Sequence, residues 1–143
     1  MDKEEVKSVW SECVANVTKN DIAEVRVYAK PHELSRIVSK GLLIILDHKV
    51  SADSWHQFTK AVASPSAFLK RLLHYNIKEV QAKDLTALKA LLKESGLDRQ
   101  ADNEKLKKVS KAMKQLHQWL LNLIEEAEAN AELDKAVTKK EEL

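Results

Sequence analysis

Glycine, proline and cysteine are almost missing from this 143-residue chain: two, two and one. So little turn material argues against a fold of many short strands joined by tight turns. Gly41 and Gly96 alone cannot build a phosphate-cradling loop. A lone Cys13 excludes a disulfide framework and a thiolate metal site, and it favours a reducing, intracellular setting. His32, His48, His56, His74 and His117 are scattered without metal-ligand spacing, so neither a metal nor a cofactor is expected. Trp10, Trp55 and Trp119 show no stacking pattern suited to bases, so they are expected to pack. The longest apolar run, residues 41–46, is far short of the about 20 residues that span a bilayer. The first residues are acidic and polar, unlike a signal peptide. No Ser/His/Asp or Cys/His set has diagnostic context, so an enzyme is not expected.

What is present is helix-forming. Leu, Lys, Ala and Glu dominate, and 44% of residues are hydrophobic. In residues 2–30, Val6, Trp10, Cys13 and Val17 form a short heptad seam that then slips, with polar Asn20 and Glu24 on it. One long, weakly amphipathic helix is expected there. After Pro31, Leu34, Ile37, Val38, Leu42 and Ile45 mark a core helix over 32–47, and Leu43, Ile44 and Leu46 make it apolar nearly all round. A second core helix follows Asp53, with Trp55, Phe58 and Val62 inward. A third begins at Ser64-Pro65, an N-cap followed by proline at the first helical position, and carries Phe68, Leu69, Leu72 and Leu73. Asp84 is expected to cap a fourth that ends at Gly96. Asp102 or Asn103 is expected to cap a short helix bearing Leu106 and Val109, and Ser110 the last.

That last helix is long. Leu116, Leu120, Leu123, Ala127, Asn130, Asp134 and Val137 keep a heptad seam, and a helix over 112–140 would be about 43 Å long. A small core cannot cover that length, nor that of a helix over 2–30. The expected fold is all-α: a globule of five or six helices, residues 31–124, on a short antiparallel coiled-coil stalk. Residues 1–30 would be its outgoing strand. Residues 125–143, continuous with the last globular helix, would return. Polar seam residues would leave the stalk marginal and able to slide.

The net charge of +2 hides an asymmetry. Residues 104–124 carry five lysines and one glutamate, whereas residues 125–143 carry seven acidic and three basic side chains. Such a cluster points to an acidic partner met by one small surface, although a run of charge is more often a solvated helix face. A nucleic-acid partner would draw on the same lysines without aromatic platforms or a helix-turn-helix signature, so none is expected, nor is a membrane partner.

Five stretches resemble the stalk tip and microtubule-binding domain of dynein heavy chains. "NDIAEVRVYAKPHEL" resembles the end of that family's first stalk helix up to its proline, and "IVSKGLLIIL" its first globular helix. "SWHQFTKAV" and "SAFLKRLLHYN" resemble the second and third helices, and "NEKLKKVSKAMKQLHQWL" the segment leading into the last helix with its Trp. The order and spacing agree over nearly the whole chain. The family's Pro-Pro is here Pro31-His32, and its second proline past Trp119 is missing, Lys135 or Thr138 holding the place.

The resemblance implies binding to tubulin in a microtubule. Affinity would be set by stalk register and communicated to a distant ATPase ring outside this chain. It places Arg36, Glu104 and Lys108 at the filament, with Lys105, Lys107, Lys111 and Lys114 in support and Lys70 and Arg71 as weaker candidates. It makes Pro31 and His32 a hinge at the stalk junction. Leu34, Ile37, Leu42, Ile45, Leu116, Trp119 and Leu120 would form the core that transmits the shift, with Trp55 and Phe68 as further structural core residues. The implied setting is cytoplasm and cytoskeleton, with a ciliary or flagellar axoneme as one form of it, and a dynein light chain is a further implied partner. The alternative is a generic helical or coiled-coil adaptor.

Overall fold

A computed structural model describes residues 9–26 and 32–142. Among the described residues all regular secondary structure is helical, as expected of an all-α globule. The α-helices are α1 (Lys19–Arg26), α2 (Glu33–Asp47), α3 (Ser54–Ala61), α4 (Pro65–Leu73), α5 (Ala82–Glu94) and α6 (Lys111–Glu142). Short 3-10 segments lie at Val9–Val14, Ile77–Glu79 and Gln100–Leu106.

The expected unbroken helix over 2–30 is not what residues 9–26 form. A 3-10 segment ends at Val14, and a new helix opens at Lys19. The break is set by a reciprocal cap: Asp21 N–H donates to Thr18 Oγ1 (3.1 Å), and Thr18 N–H to Asp21 Oδ2 (2.9 Å). Val14, Val17, Ile22 and Val25 are all buried in the core.

α2 is the central rod. Val38, Leu42, Leu43, Ile45 and Leu46 are buried, while Glu33, Arg36, Lys40 and Asp47 stay exposed, so one broad face is covered rather than nearly the whole circumference. It packs on α3, α5 and α6. Gly41 lets it approach closely: a Cβ there would lie 2.9 Å from a Leu88 methyl and 3.0 Å from a Leu120 methyl. α2 starts at Glu33, slightly later than expected, because His32 is its N-cap: Leu34 N–H donates to His32 Nδ1 (3.0 Å). Pro31, the other half of the expected hinge, lies outside the described residues. At the far end His48 takes a left-handed conformation (φ 62°), and Arg71 donates to the Leu46 carbonyl (2.8 Å).

Asp53 caps α3 by accepting from His56 N–H (3.1 Å). Pro65 opens α4, although the Ser64 hydroxyl makes no capping bond. Asp84 does not cap α5: that helix begins earlier, at Ala82, and the buried Asp84 carboxylate meets His48 Nδ1 (2.5 Å), joining the end of α2 to the start of α5. α5 ends in a Schellman turn. Gly96, at φ +70°, donates to Lys93, and Leu97 N–H to Leu92 (2.8 Å).

Trp119 is fully buried, donates from Nε1 to the Leu72 carbonyl (3.1 Å) and meets Tyr75 edge-on at 5.6 Å. Leu42, Ile45, Phe68, Leu116 and Leu120 are buried with it, while Leu34, Ile37 and Trp55 are half-buried against the same core. Phe58 of α3 links that helix to α4, 5.5 Å from Trp55 and edge-on to Phe68 at 6.0 Å. Ser110 Oγ caps α6 by accepting from Met113 N–H (3.2 Å). At 32 residues α6 is about 48 Å long. It touches the Val9–Val14 and Gln100–Leu106 segments, α1 and α2.

Candidate functional site

The basic residues of 104–114 fall on a ledge with two walls, the Gln100–Leu106 segment and the first turn of α6. Asp102 and Asn103 are not caps of an α-helix there. Asp102 sits inside a 3-10 turn and accepts from Arg99 N–H (2.9 Å). The turn that follows is tight: Lys107 N–H donates to Glu104, and Val109 and Ser110 N–H both donate to Leu106, whose side chain is fully buried. A buried leucine beneath the turn leaves Lys107 and Lys108 facing water.

The charges sort into two groups. Lys105 Nζ lies 2.9 Å from the Gly96 carbonyl and 3.3 Å from Asp102. Lys111 pairs with Asp21 of α1 (3.6 Å), and Lys114 with Glu104 (3.4 Å). Lys107 and Lys108 form no ion pair among the described residues. The solvent-accessible pairs of Lys111 and Lys114 contribute about 0–1 kcal/mol each, so an acidic partner can replace them. Five ammonium groups within ten residues make a concentrated positive field.

Arg36 stands apart. It is exposed in the first turns of α2, and among the described residues no hydrogen bond or ion pair joins it to the lysines. Arg71 is committed to the end of α2, where it also lies 3.8 Å from Asp47. Lys70 is exposed on α4.

Two carboxylates beside the ledge are held below the usual carboxylate range. For Asp102 the main cause is the Arg99 backbone N–H, helped by the Arg99 and Lys105 side chains. For Asp21 it is the Thr18 N–H, then the Thr18 hydroxyl and Lys111. Both therefore stay ionised and continue to draw Lys105 and Lys111.

Beneath the ledge is a polar unit that sequence reasoning passed over. His117 is fully buried, Nε2–H donating to the Leu97 carbonyl (2.7 Å) and Nδ1 accepting from Asn103 Nδ2 (3.0 Å). Asn103 also donates to the Lys114 carbonyl (2.8 Å). The available signal was His117 one turn after Met113 and one residue past Leu116, on the apolar side of its helix.

No group of His, Cys, Asp or Glu side chains among the described residues is arranged to hold a metal ion. Among them too, no helix is long and apolar enough to cross a membrane. A cleft of about 350 Å³ lies elsewhere, walled by His48, Arg71, His74, Tyr75 and Glu79. The ledge, with Lys105, Lys107, Lys108 and Lys111 exposed, is a positively charged surface.

No protein-family model matches the chain. Over 102 residues, 71% of the chain, the sequence is 33% identical to "Dynein axonemal heavy chain 6" of Homo sapiens. The chain spans 2% of the length of that relative.

Proposed function

We propose that this chain, related in sequence to a short region of a dynein heavy chain, is a microtubule-binding module whose affinity is set by the helices that carry it. The observation that carries the proposal is the lysine ledge of residues 104–114, built on a buried framework in a dynein-related chain. Microtubules are acidic, and exposed lysines attract an acidic surface at long range. Lys107 and Lys108 are the free contacts. Lys111 and Lys114 exchange internal carboxylates for external ones. Glu104 sets how tightly Lys114 is retained, and Arg36 adds a second point from α2. The module acts by binding rather than by catalysis, in a cytoskeletal or axonemal setting.

In this proposal residues 1–30 and 125–143 are the strands of a stalk, and residues 31–124 the globule between them. Residues 12–25 of the outgoing strand rest on the globule. α6 begins at Lys111 and Lys114, crosses the core and leaves it as the returning strand, so a shift along its axis moves the ledge lysines directly. The Asp21–Lys111 pair carries a shift of α1 to the same place. The adaptor reading is not favoured, since similarity to a dynein heavy chain covers most of this chain.

Co-sedimentation with stabilised microtubules over a salt series tests the reading. Binding should fall steeply with salt, because the Debye length is about 10 Å at 0.1 M. Lys108→Glu with Arg36→Glu should weaken it at least about tenfold, as reversing charges at a complementary interface does. Absence of pelleting at low salt would refute microtubule binding, and pelleting unaltered by the double variant would refute the residue assignment.

A further inference from the structure

We infer that His117 and Asn103 form a proton-sensitive clamp that positions the lysine ledge. Three stretches otherwise held apart in sequence meet at one imidazole: the turn after α5 through the Leu97 carbonyl, the Gln100–Leu106 segment through Asn103, and α6 through His117 itself. Asn103 closes the unit by donating its other proton to the Lys114 carbonyl. This segment bears Glu104 and Lys105 and leads directly into Lys107 and Lys108.

The geometry admits one protonation state. Nε2 must carry hydrogen to reach the Leu97 carbonyl, and Nδ1 must be bare to accept from Asn103. Turning the Asn103 amide over does not rescue a charged ring, since its oxygen would then face the Lys114 carbonyl. A proton on Nδ1 therefore sets two N–H groups against each other in a site without water access. Burial independently disfavours the charged ring and lowers the affinity of His117 for protons.

The surrounding charges do not offset this. Asp102, from the same segment, favours the charged ring, but it is already engaged by Arg99 and Lys105. Lys114 and Glu104 pair with each other above the ledge. The Val9–Val14 segment packed on α6 brings Glu12, which is exposed, and Cys13, whose half-buried thiol stays protonated. Protonating His117 thus releases the segment from α6. The ledge lysines then lose their fixed spacing while keeping their charges.

His117 and Asn103 touch no partner; they act through the segment they hold. Their role in microtubule affinity rests on the proposed function, whereas the clamp itself does not. The full chain, labelled with nitrogen-15, is titrated from about pH 7.5 to about pH 5, spanning the ordinary histidine range. Side-chain spectra should show the Nε2–H tautomer of His117 at the upper end. Amide protection factors over residues 100–108 should fall at least about tenfold as His117 takes up its proton, while those of α2 hold. Asn103→Ala should lower the same protection at the upper pH and weaken microtubule pelleting by about fivefold, the worth of one net hydrogen bond. His117→Gln, which does not titrate, should remove the pH dependence of protection.

A His117 that titrates like an exposed histidine, or protection over 100–108 that ignores its protonation, would overturn the clamp. Loosened protection in Asn103→Ala with unaltered pelleting would overturn its positioning role. Protection that behaves as expected, with no microtubule binding by any form, would leave the clamp standing and remove the microtubule reading instead.

Discussion

Cys13 and His48 are two residues whose chemistry is decided by what covers them. The Cys13 thiol is pushed up to about 11, chiefly by burial, in a pocket where Asn122 Nδ2 approaches at 3.9 Å. At neutral pH almost none of it is thiolate, so alkylation of the folded chain should be far slower than that of the denatured chain. Rates with iodoacetamide, with and without denaturant, check this; equal rates would place the thiol in water. His48 does two jobs at once: it occupies a left-handed position that glycine adopts freely, and it engages the buried Asp84. Replacement by Gly loses the contact with Asp84 alone, whereas replacement by Ala also retains backbone strain. We expect His48→Ala to be less stable than His48→Gly by about 1 kcal/mol in urea denaturation. The reverse order would mean that the left-handed backbone is not kept in solution.

At the scale of the element, the start of α1 shows a local signal overruling a weak global one. "TKND", residues 18–21, is a capping box, and its two bonds end one helix and begin another in a stretch rich in β-branched valine. The slipped seam through Asn20 and Glu24 was the visible trace of that break. Thr18→Ala should cost about 1 kcal/mol, the ordinary worth of an N-cap side chain. Thr18→Ser should recover most of the loss, and thermal denaturation of the pair of variants checks both. An unchanged midpoint for Thr18→Ala would show that α1 is held by packing of Ile22 and Val25 alone. Elsewhere the boundaries were legible because the caps are chemical. Asp53, Pro65, Gly96 and Ser110 each sit where the sequence placed them. Asp84 was misread because a carboxylate near a helix start looks like a cap, and nothing local announces a histidine 36 residues away.

The whole molecule is organised around α6, so an acid-sensitive group buried on that helix has global reach. The sign follows from His117. Its affinity for protons is lower in the folded than in the unfolded chain, because burial disfavours the charged form. The unfolded chain therefore binds more protons below the ordinary value of 6.5, and stability falls as pH falls through that value toward the folded one. Asp102 and Asp21 act in a lower window: their contribution is present above the ordinary 3.8 and is lost as pH falls below it. Melting temperature should thus decline in two steps on acidification, and His117→Gln should abolish the first. A single decline confined to the carboxylate range would contradict the assignment.

The sequence by itself determined the all-helical class, most helix ends and the lysine-rich stretch ahead of Trp119. Those properties depend on neighbours one to four residues apart: capping side chains, apolar spacing and local charge. Only the tertiary structure decided that residues 12–25 lie against the globule, that Asp84 serves His48, and which ledge lysines are already paired. It also decided that His117, one histidine among five in the sequence, is the one enclosed beneath the ledge. Each of these depends on groups distant in the chain meeting in space, where burial and hydrogen-bond partners, rather than residue type, set the outcome.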